Sequence, residues 1–231
     1  MAEDLQDEWW EEYRKKSSAE EDEADKNDNE LSKRQKKLKK RKRKIEEVNT
    51  TAMSAEDDVK TALIDVAGTV LKEELSGWIE SSTIRLDVDQ TMTGFLEEHE
   101  SKEPLCAVSN PVVIVCGAGK RCTDVLRDIQ TWSKEKEGNT AKLFAKHFKI
   151  VEQVKHLAKG KTSVAVGTPS RIAKLIEDGC LKPKSIVIDF NFRNEKKARL
   201  IDDKHVKEQL KELLKIFGDE TKRSTVRLLI Y

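Results

Sequence analysis

The chain has 231 residues, of which 38% are charged and only 5% aromatic, with four cysteines and a formal net charge of +1. That length suits one folded domain carrying a tail. No apolar run approaches the roughly 20 residues needed to cross a membrane, the acidic start is no secretory signal, and Cys106, Cys116, Cys122 and Cys180 match no zinc spacing, so we expect a soluble intracellular protein with small buried thiols and no metal.

The near-zero net charge hides an uneven layout. Residues 1–30 hold 13 acidic and 4 basic residues, and Lys33–Lys44 holds 10 basic residues and no acidic one. The remaining residues, 45–231, carry 30 of each sign. Residues 1–54 are therefore read as a disordered, acidic-then-basic tail with too few apolar side chains to offset ordering entropy. Within it, Asp7–Tyr13 reads DEWWEEY. Trp9, Trp10 and Tyr13 are candidate anchors of a docking peptide, or else fold back on the domain. The block made of Lys33, Arg34, Lys36, Lys37, Lys39, Lys40, Arg41, Lys42, Arg43 and Lys44 suits a nuclear import receptor or nucleic-acid phosphate, and we expect it to direct nuclear and nucleolar targeting.

The body is read as residues 55–231. Val59, Leu63, Val66, Val70, Leu71, Leu75 and Trp78 recur at threes and fours, one face of a helix. Ile84, Leu86 and Val88 alternate as a short extended piece, and a connection follows to about Ser109. From Val112 the rhythm is regular. Val112–Cys116 reads as a strand, and Cys122, Val125, Leu126, Ile129 and Trp132 as a helix. Leu143–Lys146 reads as a strand, and Ile150, Val154 and Leu157 as a helix. Ser163–Val166 and Ser185–Asp189 are strands flanking a helix with Ile172, Leu175 and Ile176 on one face. A long helix carrying Val206, Leu210, Leu213, Leu214 and Phe217 precedes a last strand, Val226–Ile230. Strands alternating with helices predict an α/β three-layer domain with a mostly parallel sheet.

Two loops in this pattern carry chemistry. Gly117-Ala118-Gly119-Lys120 follows a strand, as a phosphate loop would. That loop, however, reads GxxxxGK[ST], and here Ile114 stands at the first glycine position and Arg121 where the magnesium-binding hydroxyl belongs. No match to the motif occurs elsewhere in the sequence. In Val166–Ile172, VGTPSRI, Thr168 is placed to cap a helix and Pro169 to occupy its first position. The helix start then offers amides to an anion beside Arg171.

Taken together, VVIVCGAGKRCTDVLRDI, VAVGTPSRIAKLIEDGCL and SIVIDFNFRN resemble the first RecA-like domain of DEAD-box RNA helicases. In those enzymes a strand and Pro-Thr-Arg-Glu loop is followed by a Thr-Pro-Gly-Arg loop and then by a strand ending in Asp-Glu-Ala-Asp. On that likeness Gly117–Arg121 is an RNA-contact loop. The catalytic tetrapeptide falls on Asp189, Phe190, Asn191 and Phe192. Phe190 stands where the water-activating Glu would be, and a phenyl ring cannot accept a proton. Asp189 is read as a leftover at a strand end and not as a metal ligand. No second lobe is apparent, so strand unwinding is not expected.

The acidic start with DEWW, the Lys/Arg block, KLFAKHFKIVEQVKHL, VGTPSRI and the Asp-aromatic-Asn-aromatic-Arg stretch together resemble the CMSS, or Cms-type, family of helicase-derived factors associated with the small ribosomal subunit. The likeness is dense from Val112 to Phe217 and carries no motif from Asn49 to Ser109. Ser170 departs from the glycine usual there. The resemblance implies a single degenerate RecA-like domain, a nucleolar role in small-subunit precursor assembly, and no ATPase activity, cofactor or small-molecule substrate. The implied partners are pre-rRNA and assembly factors. The candidate RNA-binding residues are Gly117, Lys120, Arg121, Thr168, Ser170 and Arg171, at the C-terminal ends of parallel strands, where α/β folds bind ligands. The alternative is a protein-interaction scaffold whose domain touches no RNA, which the balanced body charge favours.

Overall fold

A computed structural model describes residues 56–69, 71–85, 90–145, 148–194 and 196–231. The acidic and basic blocks, Trp9, Trp10, Tyr13, Val70, Leu86, Val88 and Lys146 lie outside the described residues. Two helices open the domain, α1 (Glu56–Ala67) and α2 (Lys72–Glu80). The sequence pattern suggested one helix here. Gly68 breaks it by adopting φ 81°, a left-handed conformation that glycine tolerates. The chain then passes through β1 (Thr83–Ile84) into α3 (Met92–Lys102), which falls in the stretch expected to be a connection. Thr91 caps α3 by accepting a hydrogen bond from the Gly94 N–H at 3.1 Å. Met92, Phe95, Leu96 and His99 form its buried face.

The regular part follows as β2 (Val112–Val115), α4 (Gly119–Asp128), α5 (Gln130–Lys134), β3 (Asn139–Leu143), α6 (Ile150–Leu157), β4 (Thr162–Gly167), α7 (Pro169–Glu177), β5 (Ser185–Ile188), α8 (Lys204–Ile216), α9 (Glu220–Arg223) and β6 (Arg227–Ile230). The helix expected from Cys122 to Trp132 is two, hinged at Ile129. The strand expected at Leu143–Lys146 ends at Leu143 instead.

Among the described residues the six strands form one parallel sheet in the order β1-β6-β5-β2-β4-β3. Successive strand side chains alternate between faces, so each strand feeds two cores. Val113, Val115, Ala165, Ile186, Ile188, Leu228 and Ile230 pack with α1, α2, α6, α7 and α8. Val112, Ile114, Val164, Val166, Val187 and Leu229 pack with α3, α4 and α5. Burying each such aliphatic side chain contributes about 1.5–3 kcal/mol. That double burial is why the central strands read as continuous apolar runs. Tyr231 ties the end of β6 to the end of β5 and to the start of α3. Its carbonyl accepts the N–H groups of Phe190 and Asn191 at 2.9 and 3.1 Å, and its hydroxyl donates to the Gln90 carbonyl at 2.8 Å.

Candidate functional site

The connection leaving β2 runs toward β3, and the connection leaving β5 runs toward β6. Neighbouring strands whose connections diverge open a crevice at their C-terminal ends, the usual ligand site of such sheets. Here Gly117, Ala118, Arg121, Asp189, Phe192 and Leu200 are among the residues lining a cavity of about 110 Å³. Small-molecule pockets usually span about 300–1,000 Å³. Asn194, Ala198, Arg199 and Leu200, from the segment after β5, contribute to the lining. A Cβ on Gly117 would come within 3.3 Å of the Leu200 Cβ, so glycine here admits a neighbouring side chain.

Arg121 and Asp189 form an ion pair in this wall. The Arg121 Nε donates to Asp189 Oδ2 at 2.7 Å and its Nη2 to Oδ1 at 3.0 Å, a bidentate pair. The guanidinium carbon lies 3.9 Å from the centre of the Phe192 ring. Asp189 is 1% exposed. Burial by itself would lower the guanidinium pKa, but the Asp189 charge and hydrogen bonds outweigh it and raise that pKa above the ordinary value. Asp189, expected to be a leftover, is thus the buried anchor of α4. Arg121, expected to face phosphate, is engaged by it. Cys116 and Cys122 are buried beside this pair, and burial pushes the Cys116 thiol well up. Cys106 and Cys180, expected to be buried, are only partly so.

The adjacent loops are equally knit. Thr168 has the extended backbone of a helix cap, but its side chain makes no capping bond. Pro169 occupies the first turn of α7 as expected. Arg171 donates from Nη1 to Gln153 Oε1 at 2.8 Å and to the Phe148 carbonyl at 3.4 Å. Gln153 in turn donates to the Lys142 carbonyl at 2.7 Å. Phe144 packs edge-on against Phe148, and a Cβ on Gly119 would meet Phe144 at 3.5 Å. Lys120 and Ser170 are exposed on these two helix starts. Ala118 gives α4 no side-chain cap, so its first amides face outward from a positive dipole end.

The structure therefore brings Gly117, Lys120, Thr168, Ser170 and Arg171 onto one edge of the sheet, because β2 and β4 are paired neighbours. Sequence reasoning missed Gln153. Its signal was a polar residue three positions after Ile150 and four before Leu157, on the buried stripe of α6. Among the described residues no group of three or more His, Cys, Asp or Glu could hold a metal ion. Likewise, no helix among them is long and apolar enough to cross a membrane.

Comparison with known proteins gives a consistent result. A family model described as "CMS1: U3-containing 90S pre-ribosomal complex subunit" matches residues 92–231. The chain is 34% identical to Protein CMSS1 of Danio rerio over 137 residues, 55% of this chain and 46% of that protein. It is 38% identical to Protein CMS1 of Chaetomium thermophilum over 134 residues, 54% of this chain and 53% of that protein. Against Protein CMSS1 of Homo sapiens the identity is 34% over 108 residues, 46% of this chain and 38% of that protein. The matched region spans about half the length of these relatives.

Proposed function

Because the chain belongs to the CMS1 family, we propose that it is a non-catalytic ribosome-biogenesis factor that joins the 90S pre-ribosomal complex and contacts pre-rRNA backbone through the loops after β2 and β4. The match over residues 92–231 supports the ribosome-biogenesis part of this reading. Exposed Lys120 and Ser170 beside two helix starts supply its chemistry. Backbone amides and a lysine recognise phosphate without reading sequence. Hydrolysis of ATP is not part of the proposal. Phe190 is fully buried, and Asp189 is taken up by Arg121.

A second reading has its own support. Arg121 and Arg171 are held in intramolecular hydrogen bonds, so the domain could be a scaffold for assembly proteins that touches no RNA. Ultraviolet crosslinking of the full chain to precursor ribosomal RNA, with peptide mapping, separates the two. Crosslinks at residues 117–121 and 168–171 support the first reading. Crosslinks confined to Lys33–Lys44 overturn it in favour of the scaffold.

A further inference from the structure

The balanced charge of the body conceals a second basic surface at the opposite end of the strands. Residues 155–161 carry three lysines and no acidic residue. α6 descends from the C-terminal edge of the sheet to the N-terminal edge. It delivers Lys155 and Lys159 there on successive turns, and both are exposed. Lys161 immediately precedes β4. Lys182 and Lys184 precede β5. β4 and β5 both pair with β2, so these starts lie two strand spacings, about 9.5 Å, apart across the sheet, with β4 beginning two residues earlier in register.

The loop before β2 clasps them. The Ser109 hydroxyl donates to the Gly160 carbonyl. The Asn110 amide donates to the Lys182 carbonyl at 3.3 Å, and the Lys184 N–H donates to the Pro111 carbonyl at 3.0 Å. Ser109 adopts φ 72° to make this clasp. The lysines are therefore presented from a fixed frame.

Some surface cations elsewhere are paired with carboxylates, as in Lys102–Glu98, Arg127–Asp124, Lys174–Asp178 and Lys215–Glu212. Among the described residues Lys155, Lys159, Lys161, Lys182 and Lys184 make no ion pair. The nearby Glu135 and Glu137 make none either. Lys155 and Lys159 complement the C-terminal dipole of α6, but Lys161, Lys182 and Lys184 stand before strands and have no such role. Burial lowers the pKa of His156, and the charge of Lys159 lowers it further, as expected in a positive local field.

We propose that this N-terminal edge of the sheet, Lys155, Lys159, Lys161, Lys182 and Lys184, is a second phosphate-backbone surface, so that the domain grips RNA at both ends of its strands. The inference rests on the reading that the chain works on RNA. Composition chooses nucleic acid over a protein partner. Protein interfaces enrich aromatic residues and Arg and deplete Lys, whereas this patch is all lysine, with Val108 as its exposed apolar side chain. Point charges on flexible stems suit phosphates without sequence readout.

The test uses the full chain saturated with a short single-stranded RNA. Lysine reactivity toward an amine-acylating reagent is read at each residue by mass spectrometry. The five lysines should be slowed, while Lys174 and Lys215 should react as in free protein. If Lys120 is slowed and the five are not, this proposal falls and the loop surface stands. If only Lys33–Lys44 are slowed, both fall. If an acidic polypeptide protects the five and RNA does not, the edge is a protein site and the proposal is overturned. Replacing all five by Gln should lower the salt dependence of binding by about 0.7 log units per lost contact, about 3.5 in total on a single strand. An unchanged slope would refute it.

Discussion

Removing either member of the Arg121–Asp189 pair should destabilise the domain, and unequally. The two hydrogen bonds are 2.7 and 3.0 Å long, but the side chains differ in exposure, 19% for Arg121 and 1% for Asp189. Arg121→Ala strands a fully buried carboxylate. Breaking a buried pair this way costs about 3–5 kcal/mol, and we expect about 4. Asp189→Ala leaves a guanidinium that reaches solvent and still stacks on Phe192, so a loss of about 2 kcal/mol is expected. The double variant Arg121→Met/Asp189→Leu should be less destabilised than Arg121→Ala, because no charge is left unpaired. Urea unfolding of the full chain, followed by circular dichroism, gives all three values. Equal and additive single losses would show that the pair is not the anchor described.

Three further outcomes are expected. Gly167→Ala would place a Cβ 2.3 Å from the Leu143 carbonyl oxygen, so thermal melting should show a loss of about 1–3 kcal/mol or more from overpacking between β3 and β4. Burial pushes Lys142 down to about 8 from its ordinary 10.5; between those values the unfolded chain binds more protons, so wild-type stability rises with pH there. Lys142→Met should remove that rise, which stays below about 1.4 kcal/mol per pH unit because the ammonium keeps part of its solvent, and should raise the melting temperature at pH 7. Deleting Lys33–Lys44 should abolish nucleolar enrichment of a fluorescent fusion, and unchanged enrichment would refute the targeting role of that block.

The sheet was largely legible because its central strands are buried on both faces. Val112–Val115 and Ile186–Ile188 are unbroken apolar runs bounded by turns. β3 was misplaced by a few residues because it is an edge strand of Asn, Thr, Ala, Lys and Leu, with little β-propensity and only alternate burial. Phe144 next to it is apolar but belongs to a loop and packs into the α3–α4–α5 core. α1 and α2 merged into one because the turn at Gly68 keeps the helical phase, so periodicity passes through it. α3 was missed although Met92, Phe95, Leu96 and His99 have helical spacing. The intervening Glu97, Glu98 and Glu100 gave the segment the look of a polar connection. The candidate site was legible only as far as chain order allows. That β2 and β4 are neighbours follows from the order of elements in such folds. That Arg121 meets Asp189, and Arg171 meets Gln153, depends on packing across strands, which local pattern does not encode.

Net charge alone does not decide between the two proposed kinds of partner. Thirty charges of each sign in residues 45–231 favour the protein scaffold. Counterion release depends on how many cations one phosphate backbone meets at once, not on the sum over the molecule. Lys155, Lys159, Lys161, Lys182 and Lys184 stand together at strand starts without ion pairs among the described residues, whereas Arg121 at the other edge is held by Asp189. The two edges are joined by strands of four to six residues, a separation of up to about 20 Å fixed by the sheet. If both edges bind phosphate as proposed, two weak grips at a fixed separation would raise each other's effective concentration without any closing motion and would hold two stretches of RNA in register with no nucleotide cycle.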